Sequence, residues 1–282
     1  MALYKYLRLK TSFMLVCPVR HCQLPLQRDE RRVVCRRGHS FDIARSGYIN
    51  LLQPQDRRSS QPGDSAAAVI ARRRLHELGV TRPILDAIAE MLDAHREDVV
   101  LDAGCGDGFY LGELARATGF QAHGLDISVP AIQAAARRYP QFEWIVANAD
   151  RFVPYQDRSF SKVMSITARM NPREFRRVLQ DNGRLLIAVP APDDFIELRG
   201  GGPDRAARTI DEFAGVFSLA ARRRVTTAAD LDASAVQDVL VSIYRPLRPK
   251  PVEAQRVTFS LDLLRFTPRT AANDDPRADT PR

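Results

Sequence analysis

Nowhere in the 282 residues does an apolar run approach the length of roughly 20 residues that crosses a bilayer. The basic front and short apolar patch of residues 1–16 lack the small residues of a cleavage site, so the sequence offers no signal peptide and reads as cytoplasmic. Cysteine is scarce, at four residues, and in a cytoplasmic chain so few point to a metal before disulfides. There is no internal repeat. Acid is in deficit: Lys+Arg number 42 against 34 Asp+Glu, for a formal charge of +8. That balance suits a polyanionic partner such as RNA or a membrane surface.

With 45% hydrophobic residues the chain buries a full core with room for a second small unit. Composition divides it into an N-terminal extension (1–16), a cysteine-bearing ribbon (17–52), a linker with helices (53–94), a larger domain (95–268) and a polar, proline-bearing tail (269–282) expected to be disordered. Val69, Ile70, Leu75 and Leu78 recur at helical spacing until Gly79, and Pro83 opens a second helix. From residue 99 strands and helices alternate. Strands are predicted at 99–103, 121–126, 143–147, 161–166 and 184–189, with helices at 110–118, 129–139 and 172–179. Beyond Pro190 the signal weakens, apart from a late strand or hairpin partner at 257–266. The alternation predicts an α/β fold with a doubly wound, mostly parallel sheet.

The strongest motif is Val99-Val100-Leu101-Asp102-Ala103-Gly104-Cys105-Gly106-Asp107-Gly108, an apolar strand entering a glycine-rich turn before a helix. Glycines there let the backbone approach a ligand closely. Asp126 ends the next strand, 20 residues after Gly106, where a carboxylate accepts both hydroxyls of a ribose. An acidic strand end cradles a pyrophosphate poorly but suits the cationic amino-acid end of S-adenosylmethionine. The loop resembles that of class I methyltransferases. The resemblance implies that Asp126 holds the ribose and that Ala147-Asn148-Ala149 stands where the family contacts adenine, with Cys105 as a filler of the turn. The cofactor-binding set is Asp102, Gly104, Cys105, Gly106, Gly108, Phe109, Tyr110, Asp126, Ile127, Asn148 and Ala149.

Cys17, Cys22, Cys35 and His39 follow C-x4-C, twelve residues, then C-x3-H. Two ligand pairs on separate turns match a tetrahedral zinc site, with His21 a competing donor beside Cys22. Four protein ligands leave no position for water, so the zinc is structural, and it supplies folding energy that so short a segment lacks.

Zinc ribbon, linker and cofactor domain in this order resemble the bacterial 23S rRNA (guanine-N1)-methyltransferase family. The resemblance runs over about residues 17–200, through residues 35–42 (CRRGHSFD), 44–52 (ARSGYINLL), 62–65 (PGDS), 71–73 (ARR) and 131–140. The family's better-known members have C-x2-C where this chain has C-x4-C. The resemblance implies methyl transfer from S-adenosylmethionine to N1 of a guanine in 23S rRNA. The cofactor domain alone also fits a small-molecule methyltransferase acting on a quinone or secondary metabolite, or an RNA-binding adaptor without catalysis. Asp64, Arg169 and Asn171 are candidates to approach the acceptor, and Phe41, Tyr48 and Tyr155 are candidate stacking platforms for a base. Arg57-Arg58, Arg72-Arg73-Arg74 and Arg222-Arg223-Arg224 are candidate phosphate contacts, the last group also reading as a solvated helix face. No residue is assigned as catalytic. An exposed ribbon face leaves a homodimer open.

Overall fold

A computed structural model describes residues 14–56, 62–243 and 252–269. The extension before residue 14, Arg57-Arg58 and the tail from residue 270 lie outside the described residues. The ribbon is a small antiparallel sheet of β1 (Gln27–Asp29), β2 (Arg32–Val34) and β3 (Ser40–Asp42). After β4 (Ile49–Asn50) and a 3-10 turn at Pro54–Asp56 come helices α1 (Ala66–Glu77) and α2 (Arg82–Leu92). The alternating region follows as β5 (Val99–Ala103), α3 (Phe109–Thr118), β6 (Gln121–Asp126), α4 (Val129–Arg138), β7 (Glu143–Val146), β8 (Phe160–Ile166), α5 (Pro172–Val178) and β9 (Leu179–Pro190). The chain then adds α6 (Ile196–Arg199), α7 (Arg205–Phe213), β10 (Phe217–Leu231), α8 (Ala233–Ser242) and β11 (Gln255–Pro268).

The large sheet has the order β10-β11-β9-β8-β5-β6-β7-β4. Strands β4 to β9 pair in parallel, and β11 runs antiparallel to both β9 and β10. This is the α/β, doubly wound, mostly parallel architecture that the alternation predicted. The order reverses between β5 and β8, where open α/β sheets leave a crevice at the strand ends. Apolar residues alternate across the strands as a period of two demands: Leu185, Ile187 and Val189 face one layer, Leu186 and Ala188 the other. On the second layer α2 buries Ile84, Leu85, Ile88, Met91 and Leu92. Each such side chain contributes roughly 1.5–3 kcal/mol. Ser65, Ser128 and Asn171 start α1, α4 and α5 by accepting a backbone N–H in the first turn.

Between β7 and β8 the chain has no helix, although parallel strands are ordinarily joined through one. The ribbon covers that face instead. Val16 N–H donates to the Pro154 carbonyl at 3.0 Å and Gln156 N–H to that of Met14 at 2.8 Å. Leu15, Leu26 and Val33 join Tyr155, Phe160 and Ile145 in one buried cluster, and β4 extends the sheet beside β7. The ribbon and the sheet therefore share a core.

Two expectations need correction. Residues 222–224 lie in β10, a strand of 15 residues, and not on a helix face. Tyr155 is wholly buried, its hydroxyl donating to Glu143 at 3.1 Å, so it is a core residue and no platform for a base. No helix among the described residues is long and apolar enough to cross a membrane.

Candidate cofactor site and metal centre

The glycine-rich loop is pinned to the neighbouring strand, because Gly104 and Cys105 both donate N–H to the Leu125 carbonyl, at 2.7 and 3.0 Å. Gly104 has φ +93°, and a Cβ there would lie 2.2 Å from that of Ala168, so only glycine fits. Asp126 accepts from Gly106 N–H at 2.9 Å and from Ser128 N–H at 2.8 Å. The predicted cofactor residues thus gather at the carboxyl ends of β5, β6 and β7. Ile127 is half-buried beside Gly63, Phe109 stacks on His76 at 3.9 Å, and Tyr110 meets His76 edge-on. Asn148 donates to the Asp56 carbonyl and accepts from Asp150 N–H, each at 3.1 Å, with Ala149 half-buried after it.

Two buried carboxylate oxygens here, one on Asp102 and one on Asp107, have no hydrogen-bond partner. Burial pushes Asp102 well above the usual carboxylate range, and Asp126 adds to the push. Burial also raises Asp107, against the pull of Arg72, and raises Asp126, against the Ser128 and Gly106 N–H groups. Crowded carboxyl groups of this kind are unfavourable alone and become favourable beside a cation. A sulfonium with an ammonium, attached to a ribose diol, matches that need. Burial and the surrounding carboxylates push the Cys105 thiol up as well, so it stays protonated and fills the turn.

Sequence reasoning placed Asp64 near the site but missed its partner. Arg72 donates to Asp64 at 2.5 Å and to the Ser242 carbonyl at 3.0 Å, 170 residues on. Gly63 lies against Ile127 and Ser128, and the Ser128 hydroxyl donates to the Asp64 carbonyl at 2.7 Å. The PGDS stretch therefore closes over the end of β6. A signal was present, since that stretch and the following ARR were both matched to the family. The arginine groups are not a free belt: Arg73 pairs with Glu77, Arg74 with Asp238, Arg223 with Glu90, and both Arg222 and Arg224 with buried Asp262. Asn171 is the α5 cap, and Arg169 is exposed beside Asp150.

In the ribbon, donor atoms of Cys17, Cys22, Cys35 and His39 lie within 4.8 Å of one another. His39 Nδ1 is 3.4 Å from both Cys17 Sγ and Cys35 Sγ, and Cys22 Sγ is 3.8 Å from Cys35 Sγ. Zinc bonds of about 2.3 Å to sulfur and 2.0 Å to nitrogen give tetrahedral edges of roughly 3.5–3.8 Å. The thiols are free and form no disulfide. The donor set fits structural zinc. The longer first knuckle closes through His21 and Gln23 at positive φ, which leaves His21 outside the donor group. Backbone N–H groups of Arg37 and His39 draw the Cys35 thiol down to about 7 against the push of burial.

Two hollows open on the ribbon, the first where it meets α4. One, of about 410 Å³, is lined by Ala44, Arg45, Ser46, Tyr48, Gln133 and Arg137. The other, of about 390 Å³, is lined by Phe41 and Asn50 among others and shares Ala44 and Tyr48. Arg45 and Arg137 are exposed on the rim of the first.

The family model described as RlmA, N-terminal, a zinc ribbon, matches residues 15–60, and one described as Methyltransferase domain matches residues 100–187. A Streptomyces fradiae protein named 23S rRNA (guanine(748)-N(1))-methyltransferase is 32% identical over 238 residues, covering 79% of this chain and 82% of its own length. A Bacillus subtilis (strain 168) protein, provisionally named a 23S rRNA (guanine-N(1)-)-methyltransferase, is 34% identical and covers 66% of this chain and 67% of its own. Among solved structures, a chain from the complex of the Haloferax volcanii Trm112 methyltransferase activator with its methyltransferase superposes with a TM-score of 0.50 at 19% identity, covering 72% of this chain and 97% of that one; it bears on the fold alone.

Proposed function

The chain belongs to the 23S rRNA (guanine-N1)-methyltransferase family, and we propose that it transfers a methyl group from S-adenosylmethionine to N1 of a guanine in 23S rRNA. The observation that carries this reading is the pairing, in one folded unit, of a closed four-ligand ribbon with an open, acidic, glycine-rich loop. The ribbon (17–52), the linker and helices (53–94) and the cofactor domain (95–268) are the working parts of this proposal. We assign cofactor contacts to Asp102, Gly104, Cys105, Gly106, Gly108, Phe109, Tyr110, Asp126, Ile127, Asn148 and Ala149. Asp126 accepts the ribose hydroxyls, while Asp102 and Asp107 face the cationic amino-acid end. When bound, S-adenosylmethionine supplies an electrophilic methyl group, and the chain contributes position and exclusion of water.

The RNA side of the proposal is the pair of hollows. Tyr48 and Phe41 offer faces on which an unstacked base can lie, and Arg45 and Arg137 offer phosphate contacts at the rim. Such contacts position RNA without reading its sequence. A ribosomal RNA substrate makes the cytoplasm the place of work.

Nucleoside mass spectrometry of 23S rRNA from cells with and without the gene tests this directly. One 1-methylguanosine is expected to vanish in the deletion and to return with the wild type but not with Asp126→Ala. Unchanged rRNA in the deletion would refute the ribosomal assignment and turn attention to small acceptors.

A further inference from the structure

The methionine end of the cofactor carries an ammonium and a carboxylate. Asp102 and Asp107 suit the ammonium and the sulfonium, but together with Asp126 they repel the carboxylate. A cation is needed for it inside an acidic site.

Arg72 meets that need by position. Its Nη1 lies 3.5 Å from where a Cβ on Gly106 would stand, directly against the turn of the loop. The charges of Asp107 and Asp126 also act on it. The guanidinium is aimed from two sides, by Asp64 and by the carbonyl of Ser242 at the end of α8. Asp64 is itself held to the Asp126 corner through Ser128. A guanidinium has more N–H donors than these two bonds consume, and its planar fork matches a carboxylate.

A purely structural reading, in which Arg72 ties α1 to α8, explains less. Arg74 already makes that tie through Asp238, from a side chain that keeps 56% of its exposure. Arg72 is more enclosed, at 30% side-chain exposure, and placing it among the loop carboxylates costs desolvation that the tie does not require.

We propose that Arg72 grips the carboxylate of the cofactor's methionine end, with Asp64 and the Ser242 carbonyl as its positioning groups. This rests on the S-adenosylmethionine reading of the site and is independent of the RNA substrate.

The test is calorimetric binding of two cofactors to the zinc-loaded full chain: S-adenosylmethionine and its decarboxylated form, which keeps both cations and lacks the carboxylate. Wild type, Arg72→Gln, Arg72→Lys and Asp64→Asn are compared. In Arg72→Gln the affinity for S-adenosylmethionine is expected to fall about 10- to 100-fold, as for a lost charge-assisted hydrogen bond. Affinity for the decarboxylated form should hold or rise, so the ratio of the two shifts by at least about 10-fold. Arg72→Lys should retain part of the preference, and Asp64→Asn should reduce it while leaving the fold intact.

Equal weakening for both cofactors would overturn the proposal in favour of a structural role, as would no change for either. If Arg72→Gln fails to fold, an unchanged ratio in both Arg72→Lys and Asp64→Asn overturns it equally. Failure of the wild type to bind S-adenosylmethionine would instead remove the cofactor reading itself.

Discussion

In the ribbon, four donor atoms already face one another at separations a tetrahedral metal would impose. At the glycine-rich loop one buried oxygen of Asp102 and one of Asp107 have no hydrogen-bond partner. The two regions are a few strands apart in one fold, yet one is complete within the chain and the other is not. Convergent donors that satisfy one ion mark a structural site. Buried charges left unmet mark a place where a ligand completes the electrostatics.

Removing the metal gives the largest expected effect. Structural zinc contributes roughly 10–16 kcal/mol to isolated ribbons. Here the ribbon shares its core with the sheet, so Cys35→Ser or chelation should lower the melting temperature of the whole chain by more than about 10 °C. Thermal melts with metal analysis check this; a melt that ignores the chelator would show the ribbon to be self-sufficient.

On the other side of the comparison, Asp126→Ala should weaken S-adenosylmethionine binding by about 100-fold, since loop N–H groups and ribose hydroxyls lose one acceptor together. Zinc content should be unchanged. Acid should act in the same direction. The carboxyl groups of the free site are raised by burial, and a bound cation favours their ionised forms. Binding therefore releases protons and weakens as pH falls through the raised range, measurable by calorimetry in buffers of differing ionisation heat.

A smaller effect falls on stability. His76, stacked on Phe109, is held down to about 3 by burial and then by Arg72 and Arg138. The unfolded chain takes up its proton near 6.5 and the folded chain does not. Stability from this group is thus complete above pH 6.5 and declines towards pH 3 by about 1.4 kcal/mol per pH unit. Denaturant melts of His76→Leu should lose that slope.

The smallest change is expected at the hollows, where Arg45→Glu with Arg137→Glu should weaken RNA binding about 10-fold. The same pair should reduce the salt dependence by about one unit per arginine and leave cofactor affinity intact. Filter binding over a salt series decides it.

The parts of the fold legible in the sequence were those written in local spacing. Strand, loop and helix at 99–118 follow from an apolar run meeting glycines, and the alternation up to Pro190 follows from β and α periods. Strand β10 hid because its partner lies on one side only: its outer face carries charge, and its arginines are used on Asp262 and Glu90 from other elements. Tyr155 passed for a surface aromatic because nothing local reports the ribbon that covers it.

Ligand identity was likewise local. Cys17, Cys22, Cys35 and His39 declare a tetrahedral metal by residue type and interval, and Asp102, Gly104, Gly106 and Asp126 declare a cationic nucleoside, because short-range backbone geometry brings each set together. Which way Arg72 points, why Asp64 is fixed, and how a ribbon stands in for a crossover helix were decided by tertiary structure alone. Their partners, from eight to 170 residues distant, meet only when the apolar layers of the sheet are buried.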